Sequence, residues 1–181
     1  MKEDFLKKKI EIYLKKEQLS KKEEHKRLEK PFLTKARKNF TVANLLFKIS
    51  EEDEVRKFLK LPGDFEMYEW TIIVSYYSMY TAGLAALSSI GYKSKSHAAT
   101  ITVLKLHYVN GTTSLQNKDL HKLAKAYAMS EQLILKLIQT KTKRETAQYE
   151  ATPSISREMA RTALEDTDEF ITKVEDMLGK K

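Results

Sequence analysis

Apolar side chains recur along the chain at the spacing of α-helices, and no segment alternates with the period of a β-strand. The first clear stripe begins near Pro31 and consists of Phe32, Ala36, Phe40, Ala43 and Phe47. A break at Leu61-Pro62-Gly63-Asp64 follows, and a long helix is then predicted from about Tyr68 to Ile90. Gly91 is placed to end that helix. The pattern therefore predicts an all-α bundle organised around this central helix.

Three more helices are predicted after the central one. Ser94 or Ser96 caps the first of them, and Asn110-Gly111 marks the turn that follows it. The second runs from about Asn117 to Thr140. For the last helix, Thr152 provides an N-terminal cap and Pro153 occupies the first helical position.

The central segment has the length of a membrane span. From Trp70 to Tyr92, 23 residues carry no charge. The run also contains many hydroxyl side chains, namely Thr71, Ser75, Ser78, Thr81, Ser88, Ser89 and several tyrosines. A span would be richer in Leu, Ile and Val, so we interpret the segment as a helix buried nearly all round, with no membrane contact.

Residues 1–30 form a charged helical extension to a bundle that covers residues 31–181. Residues 2–29 carry 10 basic and 7 acidic side chains, and Ser20 with Glu23 fits a capping box that would restart a helix. Such an extension buries little by itself. It either lies across the bundle, meets a partner or projects into solvent.

Composition narrows the chemistry. The 181 residues suffice for one domain and include no cysteine, which excludes disulfides, thiolate zinc sites and cysteine nucleophiles. The net charge of +8 favours anionic partners such as nucleic acid or nucleotides. Residues 1–30 lack the apolar core of a secretory signal, so we expect a cytoplasmic protein. The histidine spacing fits no metal site, and no cofactor motif is present, so neither is expected.

Two basic segments are candidate sites. His97 follows Lys95 at a predicted helix start, where free amides and the helix dipole favour a phosphate; the alternative is a capping or packing histidine. In the second segment, Arg144 can clamp a phosphate with two hydrogen bonds, and Lys141 and Lys143 raise the local potential. The alternative is that these three cations cap the end of a helix.

The order of these features resembles the HEPN family. The resemblance covers about residues 32–178 and rests on Ala36 to Phe47, Trp70 to Gly91 with its Tyr76-Tyr77-Ser78-Met79-Tyr80 run, Lys95-Ser96-His97, Arg144 to Tyr149 and Ala163 to Leu178. It implies an up-and-down helical bundle that pairs as a homodimer. It also implies a toxin–antitoxin setting with a minimal nucleotidyltransferase partner, and metal-independent ribonuclease activity on RNA.

The family's ribonuclease motif is an arginine, four to six residues and a histidine. Arg144 matches the arginine, whereas Tyr149 stands where the nearest histidine would be. A tyrosine with a pKa near 10 is a weak base at neutral pH, so catalysis stays open, with Arg144 and Tyr149 as the candidate catalytic residues. The alternatives are a non-catalytic protein that binds RNA or nucleotide, and a dimeric helical adaptor.

Overall fold

The computed structural model describes residues 2–109, 115–125 and 155–179, and this part of the chain is mostly helical, as predicted. The elements in chain order are α1 (Lys2–Lys15), β1 (Leu19–Lys21), a 3-10 helix (Glu23–Leu28), α2 (Glu29–Glu51), α3 (Asp53–Phe58), α4 (Tyr68–Ser89), β2 (Tyr92–Ser94), α5 (His97–Leu104), a π-helical turn (Lys105–Val109), α6 (described over residues 117–125) and α7 (Arg157–Gly179).

Helix α4 is the centre of the bundle. Of its 22 residues only Glu69, Trp70 and Tyr77 are exposed, which confirms the prediction of a helix buried nearly all round. Small side chains allow close packing: a Cβ added at Gly83 would lie 3.4 Å from Leu104 Cδ1 on α5. Among the described residues, no helix combines the length and apolar character needed to cross a membrane.

Helices α2 and α7 cover α4 on two sides. On α2, Ala36 is fully buried, and its carbonyl accepts a 2.5 Å hydrogen bond from Ser78 Oγ on α4. Arg37, the next residue, pairs with Glu175 on α7 at 2.6 Å. Because α7 buries Phe170 and nearby apolar residues on one face, it closes the core against α4 while its polar face meets solvent.

A small antiparallel ribbon joins the extension to the bundle. The prediction that the chain contains no β-strand was therefore wrong at this place. Strands β1 and β2 pair with Leu19 opposite Ser94 and Lys21 opposite Tyr92. Three-residue strands are too short to show an alternating pattern. The capping-box prediction was also wrong, because Ser20 lies in β1 and the 3-10 helix starts after Lys22 without a side-chain cap.

The extension lies across the bundle. Ile10 of α1 and Leu19 of β1 are buried in the main apolar core. The Gly91 carbonyl at the end of α4 accepts two hydrogen bonds from the extension, one from the Lys22 N–H at 2.9 Å and one from His25 Nδ1 at 3.1 Å. Since a carbonyl only accepts, His25 carries its proton on Nδ1.

The helix ends follow the predicted signals in part. Gly91 has φ of 82° as the central helix ends, and Ser96 accepts a 3.4 Å hydrogen bond from Ala99 N at the start of α5. Helix α7 starts at Arg157, with Ser156 Oγ accepting from Met159 N at 3.2 Å. The predicted turn at Asn110-Gly111, the continuation of α6 to Thr140 and the Thr152-Pro153 cap lie outside the described residues.

We predict that Gly91→Ala destabilises the protein by about 1–2 kcal/mol, because a Cβ disfavours the left-handed backbone conformation. The added Cβ would also lie 3.1 Å from the Lys22 carbonyl. For a chain of this size, the melting temperature followed by circular dichroism should fall by about 2–8 °C. Gly63→Ala is the control, because a Cβ there meets nothing within 4 Å. Equal losses in the two variants would refute the argument.

Candidate functional site

His97 is the first residue of α5, and its ring packs against two tyrosines of α4. The ring centroids of His97 and Tyr80 lie 5.6 Å apart and the two rings stack, while the Tyr76 ring lies at 5.8 Å. The Tyr76 hydroxyl is 3.5 Å from His97 Nδ1. His97 is half-buried, so it packs against α4 and keeps part of its surface exposed, while its Nε2 atom is buried.

An open groove of about 350 Å³ lies beside His97, between α1 and α5. Its wall on α1 consists of Phe5, Leu6, Lys9 and Tyr13. On the other side lie His97, Ala98, Ile101, Thr102 and Lys105, with Ala124 of α6. This described lining holds aromatic rings and basic side chains but no carboxylate.

The two lysines of the groove are exposed at its mouth. Lys9 Nζ lies over the ring of Phe5, 4.7 Å from its centroid, and Phe5 itself is 59% exposed. Within the described residues, neither Lys9 nor Lys105 forms an ion pair. The groove therefore presents positive charge next to an accessible aromatic face, an arrangement suited to an anion with a planar ring.

Lys122 and Lys173, at the contact between α6 and α7, differ from the lysines of the groove because carboxylates neutralise their charge. Lys122 Nζ lies 2.7 Å from Asp166 and 2.6 Å from Glu169, and Lys173 Nζ lies 2.6 Å from buried Asp119. Hydrogen bonds from Lys122 and Lys173 lower the pKa of Glu169 to about 2. These charges hold α6 against α7 and are unavailable to a ligand.

Lys95 lies apart from the His97 groove. It lines a second hollow of about 410 Å³, together with Lys93, Leu14, Glu17, Leu19 and Ser20. The Lys95 N–H donates to the Gln18 carbonyl at 2.9 Å, which ties this residue to the end of the ribbon. The carboxylate of Glu17 makes this hollow less suited to an anion than the groove.

The second predicted cluster is the basic segment around Arg144. Arg144, Tyr149, Lys141 and Lys143 lie outside the described residues. Among the residues that are described, no group of three or more His, Asp or Glu side chains is arranged to hold a metal ion.

Sequence reasoning missed Phe5, Lys9, Tyr13 and Lys105. Phe5, Lys9 and Tyr13 are spaced by four residues, so they share one side of a helix. That spacing was the available signal for an aromatic and basic face. It could not show that α5 lies opposite, because nothing local to either helix encodes that contact.

Comparison with known proteins assigns the chain to no family. No protein-family model matches the chain, and no curated protein matches it significantly. The interpretation of the groove therefore rests on its own chemistry.

We predict that His97→Ala destabilises the protein by about 1–3 kcal/mol, because each aromatic ring contact contributes of the order of 1 kcal/mol. The loss would be measured as a lower denaturation midpoint in urea at an unchanged slope. His121→Ala is the matched control, since that histidine is exposed on α6 and its loss should change stability by less than about 0.5 kcal/mol. If both variants unfold at the same midpoint, the ring packing contributes nothing measurable.

Proposed function

We propose that the protein binds RNA at a basic site and belongs to the HEPN type, as a toxin-like subunit that acts with a nucleotidyltransferase partner. The observation that carries the binding proposal is the groove beside His97, whose described lining includes two lysines and aromatic rings among apolar side chains and lacks carboxylates. The net charge of +8 and the Arg144 segment support the same class of ligand. The order of helices around α4 is consistent with the up-and-down HEPN-like bundle that we propose.

The proposed reaction is metal-independent cleavage of the RNA backbone. A base removes the proton of a ribose 2′-hydroxyl, and the 2′-oxygen bonds to the adjacent phosphorus. The bond to the 5′-oxygen breaks as that oxygen takes up a proton, which leaves a 2′,3′-cyclic phosphate and a free 5′-hydroxyl. Arg144 would stabilise the charge on the phosphorus oxygens. Tyr149 or His97 would move the protons. His97 would do so only after its ring turns, because Nε2 is buried and Nδ1 lies 3.5 Å from the Tyr76 hydroxyl.

A second protomer would help to complete such a site. In a continuous helix a five-residue step turns about 140° beyond a full circle, so Arg144 and Tyr149 would not share a face. They would converge if the helix ends between them or if two protomers contribute. We propose a homodimer whose interface includes Trp70 and Tyr77, because both are 45% exposed and lie seven residues apart on one face of α4.

A non-catalytic protein that binds RNA or nucleotide is the second candidate. The observation that favours it is the tyrosine at position 149, where the family motif has histidine. In that case the same basic site holds a phosphate and leaves it intact.

We predict that Arg144→Ala weakens binding of a short single-stranded RNA by about tenfold or more, because a charged hydrogen-bond donor to phosphate is lost. Added salt should weaken the wild-type complex for the same electrostatic reason. Filter binding over a salt series measures both effects. Arg27→Ala is the control, since Arg27 is exposed on the 3-10 helix away from the groove. Binding that survives in Arg144→Ala would reassign the cations to helix capping.

We predict that Tyr149→Phe separates chemistry from binding, because it removes the hydroxyl and keeps the ring. If the hydroxyl transfers a proton, cleavage of a labelled RNA should fall at least a hundredfold, while the affinity stays unchanged. Tyr127→Phe controls for the loss of a tyrosine hydroxyl elsewhere in the chain. Unchanged cleavage in Tyr149→Phe would exclude its hydroxyl and assign proton transfer to His97.

A further inference from the structure

We propose that α1 supplies a base-stacking wall, so that the groove between α1 and α5 takes single-stranded RNA. This inference rests on the proposed binding of RNA and adds the form of the RNA and the element that recognises it. It gives the N-terminal extension a binding role of its own.

The wall is formed by one edge of α1. Phe5, Lys9 and Tyr13 all line the groove, each one helical turn from the next. Tyr13 is half-buried against the core, and neighbouring Ile10 is buried, so this edge is held in place on the bundle. Phe5, by contrast, keeps 59% of its surface exposed and can receive a planar ring.

The chemistry of this edge suits a nucleotide base next to a phosphate. Stacking of a base on an aromatic side chain stabilises complexes with single strands and tolerates any base, since every base has a π face. Lys9 lies over one face of the Phe5 ring, so it brings a positive charge close to a base that stacks on the other face. One residue pair thus offers both contacts that a nucleotide unit requires.

The opposite wall extends the site beyond one nucleotide. His97 begins α5 and Lys105 directly follows its last residue, so their backbones are about 12 Å apart at the rise of an α-helix. A single phosphate cannot contact both ends. The described lining therefore favours a strand that runs along the groove over an isolated mononucleotide.

A duplex fits this arrangement poorly. Paired bases are stacked on each other and cannot reach Phe5, whereas unpaired bases can turn outward onto an aromatic side chain. An anionic membrane surface would also attract Lys9 and Phe5, but it would not use a groove. The experiment includes both ligands as arms.

The test uses the full-length chain with Phe5→Ala and Lys9→Gln, and fluorescence anisotropy of a labelled oligouridylate of about ten nucleotides. Phe5→Ala should weaken binding about five- to 150-fold through lost stacking. Lys9→Gln should reduce the slope of log affinity against log salt by about 0.7, the value for one phosphate contact on a single strand. Circular dichroism should show unchanged folding, because both side chains are exposed.

Two matched controls lie on the same helix. Ile12 is 49% exposed and Lys8 is exposed, and neither lines the groove. Ile12→Ala and Lys8→Gln should therefore bind the oligonucleotide nearly as the wild type does. Equal effects in controls and test variants would overturn the stacking wall, as would equal affinity for an RNA duplex. Stronger binding to vesicles of anionic lipid than to RNA would overturn it too.

The Arg144→Ala variant distinguishes the two proposals. If that variant loses binding while Phe5→Ala and Lys9→Gln keep it, the stacking wall is refuted and the proposed function stands. If the reverse holds, the groove binds RNA and the Arg144 site is refuted. If the wild type binds no RNA, both proposals are refuted.

Discussion

The burial of an uncharged helix on nearly every side is the constraint on which the rest of the structure depends. Helix α4 has no polar face to present to water, so other elements must surround it. Several of its hydroxyl groups are satisfied inside the core by nearby carbonyls: Thr71 donates to Met67, and Ser78 donates to Ala36 across the interface. Among the described residues, Ser75 Oγ and Ser88 Oγ are buried without such a partner. The Ser78 bond also fixes the position of α2 along α4, which a purely apolar contact would leave free to slide.

The same helix positions the groove. Its tyrosines Tyr76 and Tyr80 hold the His97 ring, and its end at Gly91 leads into β2. Strand β2 in turn pairs with β1 and so brings α1 back over α5. Helix α4 thus positions both walls of the groove, although α1 and α5 lie far apart in the sequence. A site built in this way keeps its shape without a direct bond between the walls.

The helices could be predicted from the sequence because their signals are local. The uncharged run, Gly91 and Ser96 each determine a nearby backbone conformation. The ribbon could not be predicted, since Leu19–Lys21 is extended only because Tyr92–Ser94 lies beside it. The site divides in the same way: His97 was found from its place at a helix start, whereas Phe5 and Lys9 gain meaning only opposite α5. Long-range contacts, which no short window of sequence contains, decide both features.

The bond between His25 and Gly91 has a consequence for synthesis on the ribosome. Its partners are 66 residues apart, and the extension emerges first. At about 5–20 residues per second, the extension waits roughly 3–13 seconds for the end of α4 to be made. During that interval Leu19 and Ile10 have no core to enter, and the edge of β1 lacks its partner. The many charged residues around them keep the extension soluble until α4 has been synthesised. The charged composition of the extension therefore has a role before the native fold exists.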